Sequence, residues 1–501
     1  MSEAQTSLYF VGIGGIGMSS VAGLAKAARF TVCGSDQNLY PPSSHVLEEL
    51  AIPVFTPYAE ENIERNREAL FIIGNSLSRQ HTEVAAILAK NCRYTSYPQF
   101  LSEYFLRSTT NLVVCGTHGK TTTTSLLAYI FEGLGLRPSY MIGGEPRNLA
   151  RAFEYGSGNF FILEGDEYDT AFFDKGSKFL HYRPNYIVLN NLEFDHADIF
   201  KDLAAVKKTF HKLLDLITHP ENVIANLADS GVRELLQERG WGERVFSSAE
   251  LAPGRGSLLY LLEKPSFDSA SKMWQAKFQT KLWGPLVVRT QLPGAYNFAN
   301  IAQALGCLLL LVEQGKISAP SAESVQSLLE NFRGVSRRFE HISSAGEMNV
   351  YIDFAHHPTA VKNVLANFRV MHPEHRLIVA FEPKNASSRR NVFESQYVTA
   401  LSSADQVLLA PSPVDTRIPE HERINTGRLS SAIGDHAIAF ASFNSLYEWL
   451  TNNLRARDVL VFLSCGDFAG LPRQLVQFLA KRETSRKGIA SEMQHKSLLS
   501  S

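Results

Sequence analysis

Cysteine is scarce. The 501 residues include five, Cys33, Cys92, Cys115, Cys307 and Cys465. They are odd in number, widely spaced and form no Cys-x-x-Cys pair. This excludes a disulfide framework or a cysteine zinc site and fits a reducing cytoplasm. An excess of one charge is also missing, since 49 Lys plus Arg stand against 50 Asp plus Glu, a net charge of −1. The chain therefore has no general electrostatic means of binding nucleic acid. Long apolar runs are absent too. The most apolar, Leu305 to Val312, stops at Glu313, well short of the ~18 residues of a membrane span. Met1 to Ser7 carry no basic start and lead straight into Leu8-Tyr9-Phe10-Val11, so no signal peptide is expected. There is no low-complexity tract and no short-period repeat.

What is present is an ordinary globular composition, 45% hydrophobic and 20% charged. At roughly 150 residues per domain the length suggests about three domains. The first segment alternates Leu8 to Val11, a glycine loop, a small-residue helix to Ala28, Phe30 to Cys33, and Leu70 to Ile73. Strand, glycine turn, helix, strand is the pattern of a parallel sheet. A second segment opens with Asn111 to Cys115 and continues through Asn159 to Leu163 and Tyr186 to Leu189. Shorter runs over Gly254 to Arg289 read as antiparallel strands, and a helix is expected over Ala295 to Gln314. A third alternation runs through Asn349 to Asp353, Arg376 to Phe381, Gln406 to Ala410, Ala437 to Ala441 and Asp458 to Ser464. The expected domains are 1–107, 108–333 and 334–481, followed by a flexible polar tail, 482–501. The fold class is α/β.

Two glycine loops follow strands. Gly12, Gly14, Gly15 and Gly17 form a G-x-G-x-x-G loop before a helix, and Asp36 ends the next strand. Glycines let the backbone approach a pyrophosphate at a helix N-terminus, and the acid can hold a ribose hydroxyl. Glycine used only for helix–strand packing gives the same letters. Gly116-Thr117-His118-Gly119-Lys120-Thr121-Thr122 is more specific. Its backbone would cradle phosphates, Lys120 would reach the β/γ-phosphates and Thr121 would hold Mg²⁺. The P-loop pattern is incomplete, because Val114 occupies the first glycine position.

Polar clusters follow the same strands. Glu164-Gly165-Asp166-Glu167-Tyr168-Asp169 and Asp195-His196-Ala197-Asp198 lie beyond strand ends, where open α/β sheets bind ligands. A carboxylate and an imidazole there suit a second divalent ion beside a triphosphate. Asn297 and Asn300, one turn apart on a helix, can read one planar base, while plain N-capping by Asn297 is the alternative. Arg337-Arg338 at the second boundary can contact a γ-phosphate. The adjacent His356-His357 are not read as a zinc pair, because neighbours at a strand end point apart.

Taken in order, these motifs resemble the Mur ligase family, the ATP-dependent amide-forming enzymes of peptidoglycan assembly and recycling, over about Leu8 to Lys481. The resemblance implies a Rossmann-like UDP-binding domain, a central P-loop ATPase domain of mostly parallel sheet plus a small antiparallel sheet, and a Rossmann-like amine-substrate domain. It implies ATP and Mg²⁺, with the carboxylate of UDP-N-acetylmuramate phosphorylated and the acyl phosphate attacked by an amine. Lys120, His196 and Arg338 would be catalytic. Thr121, Glu164 and His196 would hold metal, and Asn297, Asn300, Arg338 and Asp353 would contact ATP. The UDP substrate would meet Gly12, Gly14, Gly15, Gly17 and Asp36, and Lys384, Arg389 and Arg390 would hold peptide carboxylates.

Tyr168 to Lys175, Ser177 to Tyr182, Asn190 to Asp198 and Phe381-Glu382-Pro383 resemble the members that add recycled L-alanyl-γ-D-glutamyl-meso-diaminopimelate. Addition of L-alanine is the alternative. The expected protein is a cytoplasmic monomer or weak homodimer without nucleic-acid or membrane partners. Tyr296 departs from relatives that often have His there, and no register assigns a carbamylated lysine among Lys207, Lys208 and Lys212.

Overall fold

The structure is a computed structural model, and it describes residues 6–241, 246–247, 258–345 and 348–482. The expected tail therefore lies outside the described residues, apart from Arg482. The chain forms two compact units. One spans residues 1–335 apart from Asp195–Asp198 and Ser269–Ser271. The other is Ser336–Ser501 together with those two short segments.

The first unit contains the N-terminal and central sheets. The N-terminal sheet is all parallel. Its spatial order is Val54–Phe55, Thr31–Ser35, Ser7–Val11, Leu70–Ile73 and Tyr94–Ser96. The central sheet runs Phe246–Ser247, Val223–Ala225, Tyr186–Leu189, Thr110–Cys115, Phe160–Gly165, Ser139–Met141 and Phe153–Glu154. Only its last pair is antiparallel. Leu112, Val113 and Val114 are fully buried, as an apolar strand covered on both faces must be. The helix Asn297–Glu313 packs into this unit with nearly every residue buried. The expected antiparallel segment forms Leu259–Asp268, Met273–Thr280 and Gly284–Thr290. Residues 254–257 of that expectation lie outside the described residues.

A short hairpin, Asp169–Ala171 with Asp174–Ser177, braces the central sheet against the N-terminal one. Phe173 meets Tyr94 edge-on with ring centroids 5.1 Å apart. Asp174 Oδ2 accepts from Gln99 Nε2 at 3.3 Å and lies 2.8 Å from His181 Nε2. The stretch that resembles the tripeptide-adding members is thus, in this unit, a junction between two sheets.

The second unit holds a six-stranded sheet ordered Glu340–Ala345, Met348–Asp353, Asp458–Leu463, Arg376–Phe381, Gln406–Leu409 and Ala437–Ala439. It is parallel except at Glu340–Ala345, which pairs antiparallel at the edge. That edge strand was not expected from the sequence. Its Ser343, Ser344 and His341 give it a polar reading.

Candidate active site

The loop Gly116–Gly119 leaves the C-terminal end of Thr110–Cys115 and enters the helix Lys120–Gly133. Gly119, the residue before the helix, has φ +79° and no side chain to cap it. The first-turn N–H groups of the helix are thereby left to an anion. A Cβ at Gly119 would fall on Asn300 Oδ1, so glycine is needed for both backbone and space. The loop is stitched to the end of the neighbouring strand. Thr117 N donates to Asn191 O at 3.1 Å, and His118 N donates to Asn191 Oδ1 at 2.7 Å. Buried Asn190 donates through Nδ2 to Thr123 Oγ1 at 3.1 Å. Neither asparagine was singled out for this role from the sequence. Their position just after an apolar strand is the only signal that was available.

Three acids, Glu164, Asp166 and Glu167, stand at the C-terminal end of the strand Phe160–Gly165, and each has a different partner. Lys120 Nζ, on a residue 9% exposed, donates to Gly116 O at 2.7 Å and to Glu167 Oε2 at 2.8 Å. Burial works against its charge, but Glu167 and Asp166 outweigh it and hold the ammonium protonated above the usual lysine range. Asp166 lies 3.5 Å from the buried ammonium of Lys178, which sits 3.8 Å over the Tyr168 ring. Burial lowers the pKa of Lys178, and Asp166 opposes that effect. Glu164 has no lysine or arginine within ion-pair distance among the described residues. Its Oε1 accepts from the Thr121 hydroxyl and its Oε2 from Gly143 N, both at 2.8 Å. Burial and the charge of Asp166 raise its pKa. A half-buried carboxylate without its own cation, beside the P-loop hydroxyl, has the donor chemistry of a hard divalent ion.

Asn297 and Asn300 are hydrogen-bonded to each other, and Asn297 is not an N-cap. Asn297 is the first residue of its helix. Its Nδ2 donates to Pro293 O, and its Oδ1 accepts from Asn300 Nδ2, each at 2.8 Å. Asn300 Oδ1 also receives the Thr123 hydroxyl at 3.4 Å, which links the pair to the P-loop helix. In the N-terminal sheet Asp36 Oδ2 accepts from Gly14 N at 2.8 Å. A Cβ on Gly14 would stand 2.8 Å from that same oxygen. Gly12, with φ +82°, completes the turn, and Gly15 precedes the helix Ile16–Ala27.

The remaining candidates belong to the second unit. His196 has φ +53°, and its N–H donates to Asp195 Oδ1 at 2.7 Å. Asp195–Asp198 is tied down there by Ala197 N on Ser387 Oγ at 3.1 Å and by His356 Nε2, 3.8 Å from Asp195 Oδ2. His357 accepts from Thr359 N at 3.3 Å. Asp353 is 2% exposed, and its oxygens accept from Phe339 N and Ala355 N at 2.7 Å each. It bolts the turn that carries Arg338, whose guanidinium lies 4.7 Å over the Phe354 ring. Burial raises the Asp353 pKa, and the Arg338 charge pulls against it.

The three basic peptide candidates differ. Arg389 is paired with Asp415 at 3.1 Å, and Arg390 is paired with Glu422. Lys384 lies 3.8 Å from Glu382 with 43% of its side chain exposed. Glu382 is fully buried and accepts from Ser464 Oγ at 2.6 Å. In the first unit Lys207 is committed to Glu234 and Glu238 at 2.8 and 3.0 Å.

Known proteins resemble this chain along its length. Residues 7–109 match the Mur ligase family catalytic domain, residues 114–308 the Mur ligase middle domain, and residues 337–466 the Mur ligase glutamate ligase domain. The chain is 33% identical over 477 residues to the UDP-N-acetylmuramate–L-alanyl-γ-D-glutamyl-meso-2,6-diaminoheptandioate ligase of Escherichia coli strain K12, covering 95% of this chain and 98% of that one. It is 30% identical to the UDP-N-acetylmuramate–L-alanine ligase of Mycolicibacterium vanbaalenii, covering 94% and 95%. The crystal structure of a murein peptide ligase from Psychrobacter arcticus 273-4 aligns with a TM-score of 0.69 at 28% identity, over 95% of this chain and 98% of that one. Similarity that runs the length of both chains and through all three matched regions leads to one conclusion: the chain belongs to the Mur ligase family, the ATP-dependent ligases that form C–N bonds.

Proposed function

We propose that this ligase joins UDP-N-acetylmuramate to L-alanyl-γ-D-glutamyl-meso-diaminopimelate in the cytoplasm, in step with conversion of ATP to ADP and phosphate. The observation that carries the reading is the full-length similarity to the Escherichia coli ligase of that name. A carboxylate is a poor electrophile, and phosphorylation gives it a leaving group. The γ-phosphoryl passes to the muramoyl carboxylate, the peptide amine attacks the acyl carbon, and phosphate departs. Two anions must first be brought together, so the site must concentrate positive charge.

Lys120 would supply that charge at the phosphate loop by exchanging Glu167 for phosphate oxygens. The uncapped helix N-terminus adds N–H donors. Asn297 and Asn300 present amides for the base, and Gly12, Gly14, Gly15, Gly17 and Asp36 form the UDP-side loop. Thr121 and Glu164 are the donors we assign to Mg²⁺, which when bound neutralises phosphate oxygens. His196, Arg338 and Asp353 keep the roles the family resemblance implies. Of the peptide candidates Lys384 carries the most exposed charge, while Arg389 and Arg390 would have to exchange an internal acid for a substrate carboxylate.

The test is phosphate release from ATP with UDP-N-acetylmuramate and either L-alanine or the tripeptide. Release with the tripeptide alone is expected. Release with L-alanine alone would move the chain to the alanine-adding reaction.

A further inference from the structure

The N-terminal ends of the central strands hold a feature that the ligation reaction leaves unused. A cavity of about 560 Å³ is lined by Leu106, Arg107, Thr109, Asn111, Arg183 and Asn185. It sits on the linker between the helix Tyr97–Tyr104 and the strand Thr110–Cys115. The phosphate loop leaves the other end of that strand, about 20 Å away at roughly 3.3 Å per residue.

Among the described residues no acid lines this cavity. Among the described residues neither Arg107 nor Arg183 pairs with a carboxylate. Asn111, 1% exposed, builds the site. Its Nδ2 donates to Leu106 O and to Arg183 O, each at 2.9 Å. Its Oδ1 accepts the Thr109 hydroxyl at 2.7 Å, and its N–H donates to Asn185 Oδ1 at 2.8 Å. One buried amide thus pins both arginine-bearing segments. Arg183 is held at φ +45°, a conformation uncommon for a residue with a side chain. Its Nε donates to Ser102 Oγ at 2.8 Å, which fixes the guanidinium by one edge.

Two guanidinium groups without acids offer planar N–H forks that match the oxygens of phosphate or carboxylate. We propose that this cavity is a binding site for a compact dianion, a phosphate or a dicarboxylate, separate from the nucleotide site. The proposal stands whichever amine the enzyme accepts.

The test uses the full-length enzyme saturated with Mg²⁺ and a non-hydrolysable ATP analogue, so that the phosphate loop is blocked. Inorganic phosphate or succinate is titrated at constant ionic strength, with binding followed by calorimetry and by the rise in Tm. Saturable binding is expected, weakened by roughly tenfold or more in the Arg107→Gln/Arg183→Gln double variant. The Arg107→Lys/Arg183→Lys variant should recover part of it. The double glutamine variant should keep its turnover, which shows that it is folded. Binding of phosphate alone would identify a phosphoryl ligand, and binding of succinate alone a dicarboxylate. Equal affinity in wild type and the glutamine variant, or no saturable binding of either anion, would overturn the site.

Discussion

The Thr121 hydroxyl donates to Glu164 Oε1 at 2.8 Å and so joins the P-loop helix to the neighbouring strand of the central sheet. This is the one acid of its cluster that faces a hydroxyl and a backbone N–H instead of a lysine. Glu164→Gln can still accept from Gly143 N through its oxygen, while its NH₂ must donate to the Thr121 hydroxyl in place of accepting from it, and the charge is lost. ATP binding should survive, turnover should fall by about 10²–10³-fold, and half-maximal activity should need more Mg²⁺. Phosphate release measured across a Mg²⁺ series checks this. Unchanged Mg²⁺ dependence would remove Glu164 from the metal site.

Lys120 and Glu167 form a buried pair, 2.8 Å apart with side chains 10% and 3% exposed. Lys120→Met should abolish phosphate release. Glu167→Ala should instead remove the direct partner of a buried ammonium and destabilise the fold, by about 3 kcal/mol. Urea unfolding midpoints of the two variants separate a lost catalytic charge from lost stability.

Gly119→Ala adds one carbon where the backbone has φ +79° and where Asn300 Oδ1 already stands. Either the loop or the amide pair must shift. ATP affinity should drop by at least about tenfold, since a displacement of this size disturbs a preorganised site. Calorimetry with a non-hydrolysable analogue gives the answer.

His81 packs edge-on against Tyr58, with ring centroids 4.3 Å apart, and its buried Nδ1 has no hydrogen-bond partner among the described residues. Burial lowers its pKa below the ordinary imidazole value of about 6.5. The unfolded chain therefore takes up this proton first as pH falls, and stability is lost on acidification through that value. Between pH 7 and pH 5 the Tm of wild type should fall more than that of His81→Gln. Parallel curves for the two would show that His81 does not contribute.

Much of the fold was legible because parallel strands buried on both faces must be apolar runs, and a glycine after such a run marks the turn into a helix. Leu112 to Cys115 followed by Gly116 is the clearest case. Val54–Phe55 and Phe153–Glu154 are too short to leave a pattern. Glu340–Ala345 is an edge strand whose polar residues obscure the alternation.

The site divides in the same way. Lys120 and Thr121 open the helix after a strand and its glycine loop, and Glu164 stands at a strand end, where chemistry is expected from local order alone. Asn191 holds the phosphate loop, and Asn190 the first turn of the helix after it, across sequence separations of 73 and 67.

By itself the sequence determined the order of strands and loops, the phosphate loop with its lysine, and the resemblance to one ligase family. These depend on local backbone preference and on residues close in the chain. Only the tertiary structure decided which charge meets which. It paired Lys120 with Glu167 and set Glu164 against the Thr121 hydroxyl and Gly143 N. It tied Arg389 to Asp415 and Arg390 to Glu422. It also set Arg107 and Arg183 around a cavity that no acid lines among the described residues. Ion pairs form between neighbours in space, and a chain brings distant residues together only when its sheets and helices pack.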